Sequence, residues 1–127
     1  MKKLVLCFGS ENEGDKLALE ICSELGGRTD GFDVLKCENP FDIRGHMERS
    51  GEIVIIDVVK GLKKARLFDG ADAFAKTKSV TTHDLDLCSM LKILEAVEKR
   101  RFRIIGVPFG SEKTEAAREA GKLLASL

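Results

Sequence analysis

Residues 4–8 (Leu-Val-Leu-Cys-Phe) form an unbroken apolar run, the pattern of a strand covered on both faces. A polar stretch follows, and from Asp15 the periodicity becomes helical, with Leu17, Ala18, Ile21, Cys22 and Leu25 making one stripe. Gly26 and Gly27 end that helix. Residues 32–37 predict a shorter strand, Glu38-Asn39-Pro40 a turn, and residues 41–49 a short helix that Gly45 weakens. Residues 53–59 (Ile-Val-Ile-Ile-Asp-Val-Val) are β-branched almost throughout and predict a central, buried strand. Residues 65–68 are short and charged enough for an edge strand, and a polar stretch through Lys78 reads as a connection. A long helix then runs from the region of His83 to about Lys99, with Leu87, Met90, Leu91, Leu94 and Val97 on its apolar face. Residues 103–107 predict the last strand, stopped by Pro108. A final helix from near Ser111 carries Ala116, Ala117, Ala120, Leu123 and Leu124 inward.

Strand and helix alternate, with one hairpin-like addition after the central strand. That order predicts an α/β fold with a mostly parallel sheet and helices on both faces. The length of 127 residues suits one domain spanning 1–127.

Composition narrows the function classes. Lys plus Arg balance Asp plus Glu at 21 each, so net charge argues for no particular partner. No basic cluster is interleaved with aromatic residues, and Trp and Tyr are absent, which argues against nucleic acid. Cysteines stand at 7, 22, 37 and 88 with no C-x-x-C pair, as expected of small core residues in a reducing cytoplasm. The N-terminal apolar run is too short for a signal peptide, and no segment approaches the roughly 20 apolar residues of a membrane span. The chain is therefore expected to be cytoplasmic, with no membrane partner.

In parallel sheets the ligand crevice lies beyond the carboxyl ends of the strands. Four segments should arrive there: the loop over residues 9–16, the turn after Cys37, Asp57, and the segment carrying His83. Asp57 interrupts an apolar run, where a carboxylate is costly unless a cation or donors meet it. That setting points first to functional use, with a helix cap or a structural hydrogen bond to a loop as the alternative. His83 stands near a helix start, where unpaired N–H groups disfavour an imidazolium and leave a neutral, metal-competent ring. The first loop lacks G-x-G-x-x-G spacing and the Lys-Ser/Thr of a phosphate loop, and its acids repel phosphate, so no nucleotide is expected.

Four motifs in series resemble the endopeptidases that mature nickel-iron hydrogenases. The family's Gly-Asn-x-x-x-Gly-Asp-Asp/Glu loop is matched by Gly9-Ser10-Glu11-Asn12-Glu13-Gly14-Asp15-Lys16. Its Ile-Ile-Val-Asp-Ala strand end is matched by Ile55-Ile56-Asp57-Val58-Val59, and its Ser/Thr-x-His segment by Thr81-Thr82-His83. The last strand, Ile105-Gly106-Val107-Pro108, is similar to Ile-Gly-Val-x-Pro. The resemblance spans nearly the whole chain. It implies a three-layer sandwich around a mixed five-stranded sheet with one short antiparallel strand. It also implies cleavage of a C-terminal peptide from the nickel-loaded precursor of a hydrogenase large subunit. The nickel would come with the precursor, and Asp57 and His83 correspond to two of the residues that recognise it. Glu38 and Asn39 occupy the turn linked in the family to substrate choice, though its Asp-Gly-Gly-Thr-like sequence is absent.

The third metal position holds Lys16, which cannot ligate nickel while charged. Asp15, Glu13 or Glu11 could supply the missing carboxylate; Asp15 is the first choice, about 100° around a helix from the family position. Lys16 could instead pair with Asp57 in a member that has lost nickel binding, or act neutral as a base. No catalytic residue is assigned, and a non-catalytic assembly or nickel-recognition factor stands as the alternative function.

Overall fold

In the computed structural model, residues 2–9, 16–48, 50–77 and 82–127 are described, without the side chains of 2, 28 and 82–86. The apolar runs lie side by side in one sheet. Strands β1 (Lys2–Phe8), β3 (Phe32–Cys37), β4 (Ser50–Val59) and β6 (Arg103–Pro108) are mutually parallel, in the spatial order β3-β1-β4-β6. Strand β5 (Arg66–Asp69) closes one side antiparallel to β6. This is the expected mostly parallel five-stranded sheet with one short antiparallel strand.

A further two-residue strand, β2 (Arg28–Thr29), extends the other side antiparallel to β3, making six strands among the described residues. Its link is Asp30-Gly31, both at positive φ (49° and 84°), the two-residue turn whose twist suits a hairpin. An Asp-Gly pair before a strand is a hairpin signal, but two residues are too few to show as a strand by periodicity.

Alternation along β4 sorts the core into two layers. Ile53, Ile55 and Val59 pack with Leu87, Leu91 and Leu94 of α4 (Thr82–Glu98), Ala71 and Phe74 of α3 (Ala71–Thr77), and Ile43 and Met47 of α2 (Ile43–Met47). Val54, Ile56 and Val58 face the other way, toward Ala18, Ile21 and Cys22 of α1 (Lys16–Leu25) and Ala116, Ala117 and Ala120 of α5 (Lys113–Ala125). A strand with both faces covered has no polar alternation to show, which is why its sequence is almost continuously apolar.

Two expectations are corrected. The polar stretch before Lys78 contains a helix, α3. Only Ala71 and Phe74 are buried in it, too few to give a periodic signal. Its first N–H instead meets the Glu95 carboxylate of α4 at 3.2 Å, a tertiary contact invisible to local patterning. Val97 is 64% exposed. Glu98 is exposed as well, so the covered stripe of Leu87, Leu91 and Leu94 ends before the last turn of α4.

Charged side chains bind the amino-terminal edge of the sheet together. Arg100 donates to the carbonyls of Met47 (3.2 Å), Ser50 (3.2 Å) and Gly51 (2.7 Å), joining the end of α2 to the start of β4. Glu95 accepts from the Phe102 N–H at 2.8 Å as well as from Ala71, fixing the entry to β6.

Gly106 is required where β6 passes Phe68. A Cβ there would lie 2.9 Å from Phe68 Cε2, 3.0 Å from Val59 Cγ2 and 3.1 Å from Leu62 Cδ1. Substituting Gly106→Ala should therefore lower unfolding free energy by about 1–3 kcal/mol in a urea titration. An unchanged midpoint would show that the three neighbours yield freely.

Candidate functional site

The parallel strands bring four chain ends to one edge. Strand β1 ends at Phe8, β3 at Cys37, β4 at Val59 and β6 at Pro108. The Gly9 N–H donates to the Cys37 carbonyl at 3.1 Å, tying the first loop to the turn after β3. Helices α1 and α5 start at this edge because each follows a parallel strand; α4 starts here because it returns the chain to the beginning of β6.

Asp57 is 2% exposed, beside Gly106 in the β4–β6 register. It shares the strand parity of Ile55 and Val59, which puts it on the α4 face of the sheet. Position 83 lies in the first turn of α4, four residues before buried Leu87 and hence on the same helical stripe. The fold thus brings positions 57 and 83 to the same edge and the same face. The His83 side chain, Thr81, and the loop acids Asp15, Glu13 and Glu11 lie outside the described residues.

Lys16 is exposed at the first residue of α1, on the opposite face of the sheet from Asp57. Glu38 and Asn39 are exposed beyond β3. The Asn39 side-chain oxygen accepts from the Phe41 N–H at 3.0 Å and so caps the 3-10 turn Pro40–Asp42, a local structural role. Among the described residues no group of three His, Cys, Asp or Glu side chains is placed to hold a metal. No described helix is long and apolar enough to cross a membrane.

Cys7 and Cys22 lie on the sheet face away from Asp57 and form no nucleophilic centre with it. None of the four cysteines is in a disulfide. The hydrogen bond of Cys7 to Cys22, together with burial, pushes the Cys7 thiol far up. Cys22 is drawn down to about 7 by the same bond, but it belongs to α1, on the face of the sheet away from Asp57. Burial, with the Asp42 carboxylate adding, pushes Cys37 up to about 11. Its Sγ donates to the Asn39 carbonyl at 3.4 Å.

Two side chains at this edge escaped the sequence patterns, Lys60 and Phe109. The Lys60 ammonium lies 5.2 Å from the centroid of the Phe109 ring. The available signal was Pro108-Phe109-Gly110-Ser111, a turn sequence that displays an aromatic residue.

Comparison with solved structures fits this arrangement. The [NiFe] hydrogenase maturation protease HybD from Thermococcus kodakarensis superposes with a TM-score of 0.69 at 25% identity, covering 99% of this chain and 97% of that one. The hydrogenase maturating endopeptidase HybD from E. coli gives 0.66 at 18%, covering 99% and 88%. The [NiFe] hydrogenase maturation protease HycI from Thermococcus kodakarensis KOD1 gives 0.66 at 17%, covering 98% and 90%. The last two bear on the fold alone. No protein-family model and no curated protein matches the sequence. The chain is a three-layer α/β protein with an acid buried at the carboxyl ends of its strands. Over nearly its full length it is similar to a [NiFe] hydrogenase maturation protease, at 25% identity.

The Cys37 thiol gives a pH prediction. Its ordinary value is 9.0, so from pH 9 to 11 the unfolded chain loses this proton before the folded one does. Stability should therefore fall across that window. The Cys37→Ala variant should show a shallower fall in melting temperature; identical slopes would contradict the shift.

Proposed function

We propose that this protein is an endopeptidase that removes a C-terminal peptide from the nickel-loaded precursor of a hydrogenase large subunit. The observation that carries the reading is Asp57, a carboxylate buried at the end of the central strand, on the sheet face where α4 begins with position 83. The full-length likeness to a maturation protease supports it.

Nickel enters here as part of the substrate. An imidazole and carboxylates form a donor set suited to a divalent metal of this type. Asp57 and His83 contact the ion in the precursor, and Asp15 of the first loop supplies the third contact. Recognition of the metal restricts cleavage to precursors already loaded. The bond cleaved is a peptide bond; water adds across it, leaving a new carboxylate and an amine. The site lies in the cytoplasm, and neither nucleotide nor nucleic acid takes part.

Lys16 favours a second reading. An exposed ammonium stands at the position where the family carries an acid, so a non-catalytic homologue could bind the nickel-loaded precursor as an assembly factor.

Mass spectrometry of the cognate precursor, incubated with this protein with and without nickel, separates these readings. Loss of a C-terminal peptide only from the loaded form is expected, and His83→Ala should suppress it. Binding without cleavage would support the assembly factor. Under that outcome Lys16→Glu should produce nickel-dependent cleavage; in a working protease with an adapted site, the same change should lower it.

A further inference from the structure

The edge that holds Asp57 carries an exposed feature that nickel recognition does not use. Lys60 follows the last residue of β4 and Phe109 the last residue of β6, and those strands pair in register through Val59 and Pro108. The Phe109 N–H donates to the Val59 carbonyl at 3.2 Å, and the Ser111 N–H to the Pro108 carbonyl at 3.2 Å. Gly110 has φ 79°, as the third residue of a type II turn requires. Phe109 is therefore the second residue of a turn anchored to the central strands.

Its backbone is held, yet its side chain is 51% exposed. Isolated surface apolar residues are ordinary. This one differs in having a fixed backbone, a cation stationed over its ring at 5.2 Å, and a place on the rim of the site. Three residues of strand separate the pair from Asp57 and Gly106, about 10 Å at the usual rise. About three residues of extended polypeptide cover that span.

We propose that Lys60 and Phe109 form a docking shelf for the precursor chain, with an apolar side chain on the Phe109 ring and a neighbouring carboxylate on the Lys60 ammonium. The proposal rests on the reading of the protein as a binder of hydrogenase precursor. It names a recognition element for the polypeptide, separate from the groups that face the metal. The ring supplies dispersion contact, and the ammonium a charge-assisted hydrogen bond. Lys60 already sits against the ring, so little side-chain freedom remains to be lost on binding.

The test is calorimetric titration of purified nickel-loaded precursor into the wild type, Phe109→Ala, Phe109→Leu, Lys60→Ala and Lys60→Arg, with thermal melts of each. Where cleavage occurs, KM and kcat are measured as well. Phe109→Ala and Lys60→Ala should each weaken binding roughly tenfold, raising KM with little change in kcat. Phe109→Leu and Lys60→Arg should recover most of the loss. Lys60→Ala should also lessen the dependence of affinity on salt. If the wild type binds precursor and folded Phe109→Ala binds it equally well, the shelf is overturned while the functional reading stands. If the wild type neither binds nor cleaves, both fall.

Discussion

Burying a parallel sheet between two helical layers leaves little room inside it for polar chemistry. Strands β1, β4 and β6 satisfy their backbone groups with one another, and their side chains meet helices on both faces. A carboxylate in such a setting is expensive unless donors or a cation meet it. Asp57 stands at the last place where β4 can carry one, two residues before the strand ends and beside the glycine that keeps β6 thin. The loop ties, the helix starts and the exposed rim are all arranged around that edge.

The two edges of the sheet use charge differently. At the amino-terminal edge, Arg100 and Glu95 are committed to backbone groups of neighbouring elements. Arg103 pairs with Glu52 at 3.2 Å, and Arg101 with Asp69 at 3.6 Å. Arg100, Arg101 and Arg103 are thus engaged with neighbouring elements of the fold. At the carboxyl edge, Lys60 is stationed on an exposed aromatic ring and Lys16 is exposed at a helix start. One edge holds the fold, and the other presents exposed side chains.

Much of the architecture was legible because strong local patterns agree with the tertiary outcome. The apolar runs at β1, β4 and β6 and the stripes of α1 and α5 could hardly be read otherwise. What stayed hidden depends on contacts distant in sequence. Helix α3 takes a cap from Glu95, 24 residues away, and carries too few buried residues to announce itself. Val97 satisfied an approximate helical period but fell off the stripe that the sheet covers. Asp57 was conspicuous as an acid in an apolar strand, and its burial and edge position follow the pattern. Phe109 was passed over because its exposure is set by a turn and by Lys60 rather than by any periodicity.

Under the proposed function, Asp57 serves recognition of the metal-bearing substrate rather than merely the stability of β4. Asp57→Asn keeps the size of the side chain and one acceptor oxygen while removing its charge. Its rate of nickel-dependent precursor processing, measured alongside its thermal melt, is the most direct test. A cooperatively folded variant whose processing falls at least about 100-fold is the predicted result. Processing at the wild-type rate by that folded variant would contradict the role given to Asp57.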